Sequence, residues 1–178
     1  MHPRTYSLLA LLLIALTAVS CGSMNTMTMP GKMAANDIAG IVTTANEGEI
    51  QQGQAALTAA SSADVREFAQ MMVTDHTNAL NAAKDTFTRN GITPADNDTT
   101  RNLKDSGQRT MTNLSSYRGA AFDRAYMQSQ IDMHQWLLTN MDSVLIPSAR
   151  GDVRTLLETQ RGAVASHLEH ARQVMGRL

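Results

Sequence analysis

The stretch SADVREFAQMMVTDHTNALNAAKDTFTRNG, residues 62–91, indicates the fold class. Its apolar residues recur every three or four positions, which is the spacing of one face of an α-helix. Ser62 is a suitable N-cap, and Gly91 is a typical residue just after the last helical turn. The sequence therefore predicts a long amphipathic helix, whose apolar face consists of Val65, Phe68, Ala69, Met72, Leu80, Ala83 and Phe87.

Three further segments show the same periodicity. One begins at Asn36 or Asp37 and ends before Ser62, so a tight hairpin joins it to the first helix. The other two lie on either side of Pro147 and Gly151 and form a second hairpin. Residues 91–119 break the pattern and predict a crossover with one weak helix. The expected fold is all-α: a four-helix up-down bundle with a long crossover, ferritin-like in connectivity, over residues 36–176.

Charge and cysteine content exclude several functions. The chain carries 15 Lys and Arg against 16 Asp and Glu, a formal net charge of -1. Because it has no basic surplus to neutralise phosphates, we expect no nucleic-acid partner. Cys21 is the single cysteine, which excludes a disulfide framework and any zinc site built from cysteines.

The first twenty residues predict a secretory signal peptide, since a short apolar run is followed by small residues. Residues 16–21, LTAVSC, resemble a bacterial lipobox, in which Cys21 would be lipidated and begin the mature chain. We therefore expect export, with a lipid on Cys21 anchoring the protein to the membrane on the periplasmic side of the envelope. Gly22 and Ser23 favour the outer membrane by the same resemblance. The alternative is ordinary signal cleavage and release.

Residues 21–35 are polar and irregular, and we expect a flexible tether between lipid and bundle. They contain Met24, Met27, Met29 and Met33. Thioether sulfurs at this spacing could bind Cu(I), a soft cation. A linker that merely uses methionine is the other interpretation.

One polar residue interrupts the apolar face of each predicted helix: Glu49, His76, His134 and His167 in chain order. A buried ionisable group is costly unless it has a partner. Glu49 and His76 lie at similar distances from the first hairpin turn, and His134 and His167 do so at the second. We therefore expect all four side chains to meet in the middle of the bundle.

Three imidazoles and one carboxylate suit Zn, Mn or Fe, with water at any open position. Asp75 and Gln130 are expected to support these ligands from outside. A di-iron site is disfavoured, because the residues three before His76, His134 and His167 are not glutamates. The alternative is a metal-free His/Glu cluster that fixes helix register in a structural or interaction lipoprotein. No nucleophile–base pair is visible, so an enzyme is not expected.

The motifs FAQMMVTDH at 68–76, AFDRAY at 121–126 and HLEHA at 167–171 resemble an exported bacterial family called domain of unknown function 4142. The resemblance covers about residues 36–174. It implies a ferritin-like bundle outside the cytoplasm, often in a lipoprotein, with no established activity. Relatives have a proline about five residues before the last histidine, where this chain has Gly162. The resemblance also implies functional positions at Glu49, Asp75, His76, His134 and His167.

Overall fold

A computed structural model describes residues 27–178; the predicted signal peptide, Cys21 and Met24 lie outside the described residues. The described part is all-α and contains no strand. Within it, no helix combines the length and the hydropathy needed to cross a membrane. The helices are α1 Ala35–Ala59, α2 Ala63–Arg89, α3 Asp98–Ser115, α4 Gly119–Asn140, the three-residue α5 Ile146–Ser148 and α6 Gly151–Arg177, with a π-helical segment at Met141–Leu145.

Two apolar clusters fill the helical bundle, one toward each end. The first, which we call the upper cluster, joins the start of α1 and the end of α2 to the end of α4 and the start of α6. The lower cluster joins the opposite ends of the same four helices. Neighbouring helices in the chain therefore run in opposite directions, and the middle of the bundle lies between two apolar regions.

The turn between α1 and α2 is held by a residue from another helix. Ser62 occupies the predicted N-cap position, but its side chain makes no capping hydrogen bond. Instead the buried carboxylate of Asp123 on α4 accepts the backbone N–H of Ser61 and of Ser62, each at 2.9 Å. The Ser61 hydroxyl donates to the same carboxylate. Asp123 therefore places a negative charge at the positive N-terminal end of α2, which is favourable.

The crossover carries more structure than the sequence predicts. α3 is an 18-residue helix with a complete capping box between Asn97 and Thr100. Leu103 packs in the upper cluster and Leu114 in the lower one, so α3 spans the bundle. The connection before α3 lies directly on α1: a Cβ at Gly40 would come within 2.0 Å of the Ala95 carbonyl oxygen. Glycine at position 40 permits this approach.

The end of the predicted third helix is irregular. The Ile146 N–H donates to the carbonyl of Met141, five residues back, which is a π-helical bond. Pro147 has no N–H to donate to the preceding turn, so it favours an interrupted hydrogen-bond ladder here. A bidentate ion pair between Asp142 and Arg161 joins this segment to α6, at 2.6 and 2.8 Å.

Residues 27–34, which belong to the predicted tether, contain no helix and contact the bundle. The Trp136 indole donates to the carbonyl of Met27, and the Met33 N–H donates to Ser148 Oγ. The Met33 side chain is buried in the upper cluster, and Met27 and Met29 pack against it. These thioethers therefore contribute to the apolar core.

Candidate metal centre

A layer of buried polar side chains separates the two apolar clusters. Four helices of the bundle contribute to it, so it crosses the interior from side to side. Burying so many polar groups is costly unless each has a hydrogen-bond partner or a ligand. The layer contains Asn46, Glu49 and Gln52 from α1, His76 from α2, Gln130 and His134 from α4, and His167 from α6.

Three histidines of this layer converge. His76, His134 and His167 are each at most 5% exposed. Their ring centroids lie 5.3 to 5.8 Å apart. One nitrogen of each ring lies within 4.8 Å of the corresponding nitrogens of the other two. The structure thus brings together three of the four residues that the sequence places in the interior.

Asn46 fixes the protonation of His76. The Asn46 Nδ2 donates to the Val42 carbonyl at 2.8 Å, which leaves its Oδ1 as an acceptor. This oxygen lies 2.9 Å from His76 Nδ1. Nδ1 must therefore carry the proton, and Nε2 of the neutral ring carries a lone pair.

The other two rings are fixed in the same way. His134 Nδ1 lies 2.8 Å from the Gln130 carbonyl oxygen, which can only accept. His167 Nε2 lies 3.0 Å from Oδ2 of Asp75, a carboxylate that also accepts. In a neutral ring the remaining nitrogen, His134 Nε2 or His167 Nδ1, carries a lone pair.

The second nitrogen of each ring has no hydrogen-bond partner among residues 27–178. This holds for Nε2 of His76, Nε2 of His134 and Nδ1 of His167. An unsatisfied buried acceptor costs about 1–3 kcal/mol. A water molecule donates only two hydrogens, so one water would leave one of the three lone pairs bare.

Burial keeps the imidazoles of His76 and His134 neutral. It lowers the pKa of His76 well below 6.5, and the nearby His134 and His167 lower it further. Burial also lowers the pKa of His134 to about 3, a shift that His167 increases and the hydrogen bond to Gln130 partly opposes. Neutral imidazole is the form that binds a metal. Nitrogen ligands lie about 2.0–2.1 Å from Zn²⁺, hence roughly 3.4–4.2 Å from each other. Small rotations of the side chains would reach that spacing.

Glu49 lies outside the cluster of His76, His134 and His167, which we call the histidine group. Its oxygens do not belong to the set of atoms within 4.8 Å of one another. The sequence places Glu49 opposite His76, but in the structure Asn46 occupies that position. The reason is register: α1 ends at Ala59 and α2 begins at Ala63, so the hairpin is centred near residue 61. Glu49 is displaced by three residues, about 4.5 Å along the helix axis.

Glu49 belongs to a neighbouring polar group with Gln52, Tyr126 and Gln130. Within the described chain, both oxygens of Glu49, the Tyr126 hydroxyl and Gln130 Oε1 have no hydrogen-bond partner of normal geometry. Gln130 Nε2 donates weakly to Gln52 Oε1 at 3.4 Å. Burial raises the pKa of Glu49 to about 7, and the nearby Gln130 side chain lowers it in part. We call these four residues the glutamate group.

The sequence reasoning missed Asn46. The signal was present, because Asn46 lies four residues after Val42 and three before Glu49, within the apolar face of α1. His170, three residues after His167, is half-buried and lies edge-on to Phe68 with ring centroids 5.4 Å apart. It is not part of the histidine group.

Comparison with known proteins gives a family and no function. A family model described as "Domain of unknown function (DUF4142)" matches residues 23–174, most of the chain. No curated protein and no solved structure matches the chain.

Proposed function

The chain belongs to the DUF4142 family, and from this premise we propose that it is an envelope-anchored bacterial lipoprotein that binds one metal ion. The ligands are Nε2 of His76, Nε2 of His134 and Nδ1 of His167. Zn and Fe suit imidazole donors of this kind, and Mn suits the site when the Glu49 carboxylate or water adds oxygen ligands. The biological role is in metal handling or in defence against stress in the envelope.

A single observation carries the metal site: three buried imidazoles lie together, each has one nitrogen with no partner in the described structure, and each offers one nitrogen within 4.8 Å of those of the other two. A cation between them would remove the cost of all three. The outer nitrogens already have partners in Asn46, Asp75 and the Gln130 carbonyl. Such partners orient metal-binding imidazoles and raise their basicity. The protein thus supplies three ligands and their supports.

Glu49 is proposed as the carboxylate of this site, acting from the glutamate group. It is fully buried without a hydrogen-bond partner among residues 27–178, and it lies about one helical turn from the histidines. A cation nearby would favour its ionised form. It could then reach the ion directly or accept a hydrogen bond from a bound water.

The connectivity proposed for the bundle is ferritin-like. α1, α2, α4 and α6 form the four-helix up-down bundle, and α3 lies within the long connection between its second and third helices. Between the two apolar clusters α1 and α2 run in opposite directions, and so do α4 and α6, whereas α2 and α4 run in the same direction, which supports a long crossover between the second and third helices. Metal sites of such bundles lie in the core and use side chains from facing helices.

Export and lipidation rest on the lipobox-like segment that ends at Cys21. Labelling cells with a radioactive fatty acid tests them. We expect the full-length chain to carry the label in the membrane fraction, and Cys21→Ser to lose it. A wild-type chain without label, found in the soluble fraction, would support ordinary cleavage and release.

Elemental analysis tests the metal site most directly. The untagged chain from residue 22 onward, which contains every described residue, should purify under mild conditions with about one metal ion per molecule. His76→Gln should lose the ion. His170→Gln is the matched control, since His170 is a half-buried histidine outside the group, and it should retain the ion.

The competing function is a structural lipoprotein whose polar layer only fixes helix register. The hydrogen bonds that orient the rings favour it, because they connect α2 to α1 and to α6 without any ligand. This function predicts a metal-free protein whose melting temperature is unchanged by added metal. Metal that binds the native state must instead raise it.

A further inference from the structure

A cavity lies next to the histidine group, on the side of the upper apolar cluster. Its volume is about 50 Å³. His76 and His167 form part of its wall, and most of the remaining wall is apolar. The π-helical segment contributes Met141 and Leu145, and Leu157 of α6 faces them.

The lining of the cavity reaches the surface between α2 and α6. Two contacts between these helices frame the gap: Asp75 to His167 on one side, and Gln160 Nε2 to the Ala79 carbonyl at 3.0 Å on the other. Between them lie two small side chains of the cavity lining, the half-buried Ala79 and the exposed Ala163. We call this gap the α2–α6 window.

We propose that the cavity binds a small, uncharged and mostly apolar molecule, of the size of a diatomic gas, which enters through the α2–α6 window and contacts the imidazoles of His76 and His167. Only the nitric oxide test below rests on the proposed function, because it uses iron bound by the histidines. Occupancy of the cavity itself does not depend on metal.

Size and polarity define this ligand. Cavities lined by apolar side chains stay dry and bind apolar molecules, and an engineered cavity of about 150 Å³ holds benzene. A volume of about 50 Å³ is a third of that, which excludes aromatic ligands. The Asp75 carboxylate at the window repels anions, and away from the histidines the apolar part of the wall offers a charged ligand no compensation for its lost hydration.

Xenon tests the cavity without metal. The chain from residue 22, prepared with chelator and labelled in its methyl groups, is titrated with dissolved xenon and followed by NMR. We expect saturable shifts at the methyls of Met141 and Leu157. The methyl of Met72, in the lower apolar cluster, is the internal control and should not move. Uniform or absent shifts would overturn the proposal.

Nitric oxide tests the window. The double variant Ala79→Leu with Ala163→Leu narrows the gap, whereas Ala82→Leu places the same side chain at an exposed position of α2 one turn further on. In the Fe(II)-loaded protein without oxygen, we expect the double variant to slow nitric oxide binding about tenfold, because it narrows the route to the site. The control should stay within about twofold of wild type.

The outcomes separate the two proposals. Xenon shifts in a protein that retains neither Zn, Mn nor Fe would support the cavity and refute the metal site. Iron retention with nitric oxide binding that is unaffected by the double variant would support the metal site and refute the window. A double variant that no longer folds would be recognised by its lost helical signal, and Ala163→Leu alone then serves as the test.

Discussion

The histidine group and the glutamate group lie about one helical turn apart and are both buried, yet they differ in how their atoms are partnered. Each histidine uses one nitrogen in a hydrogen bond that orients its ring and leaves the other bare. In the glutamate group the Glu49 carboxyl and the Tyr126 hydroxyl have no hydrogen-bond partner in residues 27–178. The histidine rings are therefore held in defined orientations, and each has one unpartnered nitrogen. No hydrogen bond of normal geometry orients the Glu49 carboxyl or the Tyr126 hydroxyl within the described residues.

The difference bears on the proposed metal site. Unpartnered polar atoms alone indicate only missing partners, such as water. Imidazole rings that are each oriented by a hydrogen bond on one nitrogen, with the other nitrogen unpartnered, have the arrangement of metal-binding histidines. Under the proposed function, the histidines therefore have the dominant role in metal binding and Glu49 has an auxiliary one.

The largest expected effect follows from this assignment. His134→Gln should weaken Zn²⁺ binding at least about 100-fold, because it removes a ligand. Glu49→Gln preserves shape and removes only the charge, so we expect a loss of about tenfold or less. Competition with a chromogenic chelator measures both affinities. A larger loss in Glu49→Gln than in His134→Gln would reverse the comparison.

Substituting a residue that hydrogen-bonds a histidine of the group should have an intermediate effect on Zn²⁺ affinity. Asp75→Ala removes the acceptor that fixes the proton on His167 Nε2, so Zn²⁺ affinity should fall about 10- to 100-fold. Asp132→Ala is the control, because Asp132 is exposed and bonds only Gln128 among the contacts described for it. Equal affinity in Asp75→Ala and wild type would show that His167 needs no support.

The two groups should also have opposite effects on the free energy of unfolding as the pH falls. Below pH 6.5 the unfolded chain protonates His76 and His134, whereas the folded chain does not, so these residues lose stabilising effect as the pH falls. Glu49 does the reverse. Its pKa rises from 4.5 to about 7 on folding, so it stabilises at low pH and loses this effect as the pH rises from 4.5 through 7.

Between pH 4.5 and 6.5 two histidines outweigh one carboxyl, so the folded state binds fewer protons than the unfolded state. From these three groups, the free energy of unfolding should rise with pH over this range. Urea unfolding of the metal-free protein at pH 4.5, 5.5 and 6.5 measures this slope. Glu49→Gln should make the slope steeper, and an unchanged slope in that variant would refute the ionisation assigned to Glu49.

The sequence predicts the helices and the inward histidines because both depend on local periodicity. His76 and His167 fall within repeats of three and four residues, and such repeats define which face of a helix is buried. The predicted helix stop at Gly91 is confirmed, since its φ of 64° suits glycine. The family predicted from separated motifs is confirmed as well.

Features that depend on contacts between helices were not predictable in this way. Glu49 and His76 differ in height because the α1–α2 hairpin is centred near residue 61, whereas the two residues would be level only if its centre lay between residues 62 and 63. The resulting offset of three residues is almost a full helical turn. The full length of α3 was not predicted because its sequence is polar and has a weak apolar periodicity. Contacts with α1 and α4 stabilise this helix in the folded protein. The π-helical segment depends on how α4 meets Pro147 and α6.

The smallest expected effect concerns the Tyr126 hydroxyl. This oxygen is buried without a partner in the part of the chain that the structure describes. Burial, with the neighbouring Glu49, raises the pKa of Tyr126 well above 10, so the hydroxyl stays protonated. Removing an unsatisfied polar atom while preserving the ring should be neutral or stabilising. We expect Tyr126→Phe to raise the free energy of unfolding by up to about 1 kcal/mol.

Phe122→Leu provides the contrast in the same apolar cluster. It reduces a buried ring that has no polar atom, so it should destabilise by about 1–2 kcal/mol. Urea unfolding of both variants, in the presence of chelator, gives the two values. If Tyr126→Phe destabilises as much as Phe122→Leu, the hydroxyl has a partner such as a buried water. The glutamate group would then be as well ordered as the histidine group, and the contrast between them would no longer hold.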